Sequence, residues 1–185
     1  MINSLTPADI ERDYSTSLAV VSRDNRKDES LICSELPVIN YDSVVRRYRK
    51  LIGCANTPAS NDALILAKRT SEVFFIEFKN STSQRLNNED YKRSLCNKKR
   101  DSVIVFCDLF DETPSYLRAQ CTYILVFSPN SSREKLIKHM ADKTAETFDF
   151  LGLKSLFENY LFKNVLTVTS EQFLSLVDAG VISLQ

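Results

Sequence analysis

Several features that define large protein classes are scarce or missing in this sequence. Three glycines among 185 residues exclude a collagen-like repeat, and neither a GxGxxG nor a GxxxxGK[ST] phosphate-binding motif is present. His139 is the only histidine and has no second histidine or cysteine at a ligand spacing, which argues against a zinc site. The five cysteines form no CxxC pair, so free thiols in a reducing compartment are expected rather than a disulfide framework.

The sequence also has no net excess of either charge and no long hydrophobic run. Twenty-four basic residues balance twenty-four acidic ones, which excludes a protein that coats nucleic acid by bulk charge but permits a local basic surface. No segment approaches the about 18 apolar residues of a membrane helix, and the N-terminus lacks the basic and apolar parts of a signal peptide. We therefore expect a soluble, cytoplasmic protein that does not bind a membrane.

Apolar residues make up 43% of the chain, enough for a hydrophobic core, and the length fits one domain. Residues 1–30 are polar and weakly patterned, so we predict an extension there, with the alternative that it docks one strand onto the sheet. Residues 31–185 are predicted to form a single domain. The pattern predicts these elements: helix 41–54, strands 63–67 and 73–79, a basic helix 88–101, a buried strand or helix continuation 102–109, strand 121–127, helix 131–148, strand 159–168, and a helix after the capping box 169–172. Strands and helices are mixed throughout, which predicts an α/β fold around one sheet.

The two strands at 63–67 and 73–79 are joined by a short polar segment, so an antiparallel hairpin is expected. If Ala67 faces Glu72, then Asp62 lies opposite Glu77 on the same face of the sheet. Two carboxylates that close together repel unless a cation lies between them, and Mg²⁺ suits such a site. Lys79 shares that face and could orient water or stabilise charge on a phosphate.

A structural interpretation stays open beside this one. Asp62 could be a turn residue, and Glu77 with Lys79 could form ion pairs on a solvated strand face. However, this is the only Glu-x-Lys sequence in the chain, and it ends a very hydrophobic strand.

Asp62 is followed, after fourteen intervening residues, by Glu77-Phe78-Lys79, which Ile76 precedes. This arrangement resembles the motif of the PD-(D/E)xK nuclease superfamily. The resemblance implies a restriction-endonuclease-like mixed sheet flanked by helices, with an αβββαβ core. It also implies a Mg²⁺- or Mn²⁺-dependent nuclease in which Asp62, Glu77 and the Phe78 carbonyl hold the metal and Lys79 is catalytic.

The chain departs from the family pattern in three places. Asn61 stands where the family often has proline, and the helix at 41–54 lacks the glutamate that many members carry. Glu35 or Asp42 could supply that acid. A first core strand is not evident at 53–61.

The predicted basic helix carries Lys92, Arg93, Lys98 and Lys99. We expect these four residues to contact nucleic-acid phosphates, with a solvated helix face as the alternative. DNA is the preferred substrate, RNA the second choice, and cutting both strands of a duplex would require a homodimer. The competing functional hypothesis is a catalytically inactive, nuclease-like module that binds nucleic acid or protein.

Overall fold

The fold is built around one main mixed sheet, and buried apolar side chains pack against both of its faces. The computed structural model describes residues 5–24, 28–79, 89–127 and 152–182, without the side chains of Glu89, Tyr91 and Lys92. In chain order the elements are α1 (Pro7–Tyr14), β1 (Ser15–Ser17), α2 (Leu18–Val21), β2 (Arg23–Asp24), β3 (Glu29–Ser30), β4 (Pro37–Asn40), α3 (Tyr41–Ile52), β5 (Ala63–Ala67), β6 (Glu72–Lys79), α4 (Glu89–Phe110), α5 (Pro114–Gln120), β7 (Cys121–Phe127), α6 (Leu153–Phe157), β8 (Asn164–Thr169) and α7 (Ser170–Asp178).

The main sheet has six strands in the order β1-β4-β5-β6-β7-β8. The pairs from β1 to β6 are antiparallel, whereas β6, β7 and β8 run parallel to each other. Strands β2 and β3 form a separate two-stranded sheet. The predicted α/β class with a central mixed sheet is therefore confirmed.

The order of elements next to the site differs from the predicted αβββαβ core. On the side away from β6, the strand that pairs with β5 is β4, which precedes α3 in the chain. Residues 53–62 contain no strand. Two properties explain the difference. Val38 and Ile39 of β4 bury their side chains on opposite faces of the sheet, whereas the segment after α3 is polar and contains Pro58. The order is therefore β-α-β-β-α from β4 to α4.

The N-terminal segment packs onto the same sheet. Strand β1 pairs with β4, and the side chains of Ile10 and Leu18 are fully buried. In the described part of residues 1–30, the structure therefore matches the alternative prediction, in which this segment docks one strand onto the sheet, and not the predicted extension.

Two apolar layers enclose the sheet, and β6 contributes to both. Val73 and Phe75 face the layer built with α1, α3, α4, α5 and α6, while Phe74 and Ile76 face the layer that contains Phe173 of α7. Glu77 and Lys79 lie on the Phe75 face because alternate residues of a strand share a face. Both polar side chains therefore point toward the helices α3 and α4.

Most remaining boundaries follow the sequence pattern. The segment 102–109 continues the basic helix, and α7 begins with the predicted capping box between Thr169 and Gln172. Strand β8 begins at Asn164, later than predicted, because Asn159 with its φ of 62° belongs to a turn. The predicted helix 131–148 lies outside the described residues. Across the part of the chain that the structure describes, no helix is both long and apolar enough to cross a membrane.

Candidate active site

Asp62 and Glu77 meet at one end of the β5–β6 hairpin. Ala67 pairs with Glu72, and this register places Asp62 opposite Glu77, one position beyond the last paired residues of β5. The predicted register is confirmed. Asp62 Oδ2 accepts a hydrogen bond of 2.7 Å from the N–H of Phe78, so its carboxylate is oriented by the strand that carries Glu77.

The loop before Asp62 is held by helix α4. The N–H of Asn61 donates to Ser102 Oγ at 2.9 Å, and the N–H of Ala59 donates to Asp101 Oδ2 at 2.9 Å. The Asp62 carbonyl also accepts from the first N–H of α3 at 3.2 Å. Because two side chains of α4 and one backbone N–H of α3 bind the backbone of this loop, the position of Asp62 is fixed by the packing of those helices.

Two lysines neutralise the acid pair. Lys98 on α4 places its Nζ 2.9 and 3.2 Å from the two carboxylate oxygens of Glu77, and 3.5 Å from Asp62 Oδ1. Lys79 forms an ion pair with Glu77 from the same face of β6. We call the set Asp62, Glu77, Lys79 and Lys98 the charged cluster.

Burial shapes the electrostatics of the charged cluster. Glu77 is fully buried, whereas 19% of the Asp62 side chain is exposed. Burial and the neighbouring Glu77 carboxylate raise the pKa of Asp62 to about 7. Burial also pushes the pKa of Glu77 upward, but the ammonium groups of Lys79 and Lys98 outweigh it and hold that pKa below its ordinary value. Glu77 is therefore the more persistent anion of the two acids.

Both lysines of the charged cluster stay protonated. Burial lowers the pKa of Lys79 and of Lys98, but the carboxylates of Glu77 and Asp62 outweigh this effect and raise both pKa values above the ordinary one. The interpretation of Glu77 and Lys79 as a solvated strand face does not fit, because the Lys79 side chain is 17% exposed and Glu77 is not exposed at all.

Of the two acids considered as a supplement to the site, Glu35 and Asp42, the structure brings Asp42 near the charged cluster. It accepts a hydrogen bond from Ser60 Oγ, and its charge helps to raise the pKa of Lys79. Glu35 is exposed, and no described contact joins it to the charged cluster. Asp42 therefore lies at the margin of the site, as the first-turn acid of α3.

The four basic residues predicted to contact phosphates have different positions. Lys99 is fully buried, with its Nζ 4.3 Å from the centroid of the Tyr123 ring, so the predicted phosphate contact is wrong for this residue. Lys98 points to the acid pair rather than outward. Arg93 is exposed and compatible with a phosphate contact, and the side chain of Lys92 lies outside the described residues.

The carboxylates of Asp62 and Glu77 fit a divalent cation in position and chemistry. A single ammonium nitrogen of Lys98 already lies within 3.5 Å of both, so one cation can contact both acids at once. Oxygen ligands of this kind suit Mg²⁺ and Mn²⁺, and Mg²⁺ is commonly bound through one or two carboxylates plus waters. Within the described residues there is no group of three or more His, Cys, Asp or Glu side chains arranged to hold a metal.

The contribution of α4 to the site was only partly visible in the sequence. Lys98, Asp101 and Ser102 are spaced by three and one residues, which places them on neighbouring positions of one helical face. That spacing was a usable signal for the contacts with Asp62, Ala59 and Asn61. It depends on the helix continuing past residue 101, which the sequence left open.

Comparisons with protein-family models, with curated proteins and with solved structures find no match for this chain.

Proposed function

We propose that this chain is a metal-dependent nuclease that hydrolyses phosphodiester bonds of DNA, with RNA as the alternative substrate. The observation that carries the proposal is the convergence of Asp62 and Glu77 about one cation, with Lys79 on the same strand face. The spacing of these residues matches the PD-(D/E)xK motif. The mixed sheet is compatible with a restriction-endonuclease-like fold, although its strand order departs from the αβββαβ pattern.

The proposed roles follow from the positions. Asp62, Glu77 and the Phe78 carbonyl would hold a Mg²⁺ or Mn²⁺ ion, which supplies Lewis acidity and an acidified water when bound. Lys79 remains charged beside Glu77, where it orients the attacking water and stabilises negative charge on the phosphate.

Binding of the polymer is assigned to Arg93, which is exposed on α4, and to Lys92. These two residues contact backbone phosphates, which orients the substrate without reading its sequence. A homodimer would be needed to cut both strands of a duplex, and the proposed location is the cytoplasm.

The second candidate is a catalytically inactive module that keeps the fold and binds nucleic acid or protein. One observation favours it: the charges of Lys79 and Lys98 already balance those of Asp62 and Glu77. With Asp62 ionised, such a cluster is electrically neutral without a metal, so it can serve as a buried structural network.

The test is cleavage of supercoiled, linear, single-stranded and branched DNA and of RNA, each with Mg²⁺, Mn²⁺ or EDTA. Asp62→Asn, Glu77→Gln and Lys79→Met keep side-chain size and should each reduce cleavage by about a hundredfold or more. Asp178→Asn, an exposed change at the end of α7, is the control and should retain activity.

Circular dichroism would establish that each variant folds. Full activity of Asp62→Asn would contradict the nuclease proposal. A folded wild-type protein that cleaves no substrate and binds no Mn²⁺ would favour the inactive module.

A further inference from the structure

We infer that Lys98 is a built-in competitor of the metal: its ammonium group holds the place between Asp62 and Glu77 that the divalent ion takes, and metal binding displaces it. This inference rests on the proposed function, because it concerns the same two acids. It assigns Lys98 a role in regulating metal binding, different from the phosphate contact expected from the sequence.

The distances carry the first step. Lys98 Nζ contacts both oxygens of Glu77 at 2.9 and 3.2 Å and lies 3.5 Å from Asp62 Oδ1. A metal bound to the same two carboxylates needs oxygen atoms at about 2.0–2.2 Å. An ammonium group and a metal ion cannot occupy that space together, so one has to leave.

The charge balance carries the second step. When Asp62 is ionised, the ammonium groups of Lys79 and Lys98 balance the charges of the two acids. Adding a divalent ion while both lysines remain would leave an excess of two positive charges around the fully buried Glu77. Uncompensated charge in such a place is strongly unfavourable, so departure of one ammonium accompanies metal entry.

The side-chain positions decide which lysine leaves. Lys98 reaches the acids from α4 on a flexible four-carbon stem, and 24% of its side chain is exposed, so it can turn outward without movement of the helix. Lys79 extends from the same strand face as Glu77 and is less exposed, at 17%. The adjacent Lys99 is fixed in the apolar layer and cannot replace Lys98.

Mn²⁺ binding measured without nucleic acid, by calorimetry and by the electron paramagnetic resonance signal of free Mn²⁺, tests the inference. Lys98→Met removes the competing charge and keeps the stem, so the Mn²⁺ dissociation constant should fall by about tenfold, which corresponds to the loss of one charge-assisted contact. Arg100→Met removes an exposed positive charge two residues away and should leave the constant unchanged. Lys98→Gln is the second variant, should the methionine change impair folding.

A second readout uses the wild-type protein. Acetylation of Lys98, followed by mass spectrometry, should become severalfold faster when Mn²⁺ is added, because displacement exposes the amine. The exposed Lys50 on α3 is the internal reference and should react at the same rate with and without Mn²⁺.

The outcomes separate this inference from the proposed function. If Lys98→Met and Lys98→Gln bind Mn²⁺ no more tightly than the wild type, or if Mn²⁺ leaves Lys98 acetylation unchanged, the inference is wrong. The nuclease proposal survives in that case, provided that Asp62→Asn abolishes Mn²⁺ binding. If neither the wild type nor the Lys98 variants bind Mn²⁺, both proposals are wrong.

Discussion

Replacing Lys99 with methionine tests how much a charge buried in the apolar layer lowers the free energy of unfolding. The Lys99 side chain is fully buried, and its Nζ donates a hydrogen bond of 3.2 Å to the Leu95 carbonyl. The ring centroids of Tyr123 and Phe157 lie 4.3 and 5.4 Å from the same nitrogen. These aromatic faces attract a cation but do not replace the water that an exposed ammonium group has.

The size of the effect follows from the pKa. Burial lowers the pKa of Lys99 from its ordinary 10.5 to about 8. This difference corresponds to about 3 kcal/mol that the folded state loses at pH 7 by keeping the buried amine protonated. Methionine keeps an unbranched side chain without the charge. We therefore expect Lys99→Met to raise the free energy of unfolding at pH 7 by about 1–3 kcal/mol.

The pH dependence gives the sharper test. Between pH 8 and pH 10.5 the unfolded chain binds more protons at Lys99 than the folded chain does, so this residue makes wild-type stability rise with pH in that interval. The advantage of Lys99→Met is thus complete below pH 8, shrinks as the pH rises and disappears near pH 10.5. Urea unfolding of both proteins at pH 7, 8.5 and 10 measures it.

Lys50→Met, at an exposed position of α3, is the matched control and should show no such trend. The reasoning is refuted if Lys99→Met destabilises the protein by more than about 1 kcal/mol at pH 7. A difference from the wild type that is equal at pH 7 and pH 10 refutes it as well.

Two further predictions concern packing and the loop that carries Asp62. Phe75 is fully buried and contacts three aromatic rings edge-on. Phe75→Ala should therefore lower the free energy of unfolding, measured in urea, by about 3–5 kcal/mol. Leu156→Ala, at an exposed position, is the control and should change it by less than about 1 kcal/mol. Ser102→Ala removes the acceptor of the buried Asn61 N–H and should lower the free energy of unfolding by about 1–3 kcal/mol. An unchanged urea midpoint would show that this hydrogen bond does not hold the loop.

The geometry of the hairpin could be deduced from the sequence because local rules determine it. A short polar connection between two apolar runs allows few turns, and the turn determines which residues face each other. Pairing Ala67 with Glu72 then places Asp62 opposite Glu77, as the structure has it. The main features of the candidate site were therefore accessible without any long-range information.

Strands β1 and β4, at one side of the sheet, could not be deduced from the sequence in the same way. Strand β1 has three residues, Ser15–Ser17, and β4 has four, so neither has enough alternation to be distinguished from a loop. Strand β4 depends on pairing with β5, which lies far along the chain, and β1 in turn depends on pairing with β4. Long-range pairing of this kind also produced the β-α-β-β order that the predicted core did not contain.

The different environments of Lys98 and Lys99 arise from the periodicity of α4. Leu95, Lys99, Ser102 and Phe106 are separated by four, three and four residues, and all four side chains are buried. This stripe is the apolar face of an amphipathic helix, with a lysine in the middle. Lys98 lies about 100° around the helix from Lys99, enough to direct its ammonium group to the acids at the sheet end.

The charged cluster is hard to explain by stability alone. Glu77 is fully buried and needs two lysines to remain ionised, and desolvation of such charges can exceed the attraction between them. Well-packed apolar residues at these positions would stabilise the fold equally well or better. The cluster also lies where two strand ends meet, beside a loop held by two helices, so it is placed where a ligand could reach Asp62. The proposed cation site accounts for two acids in this position. The proposed displacement of Lys98 by the cation accounts for the stability of the same acids when no cation is bound.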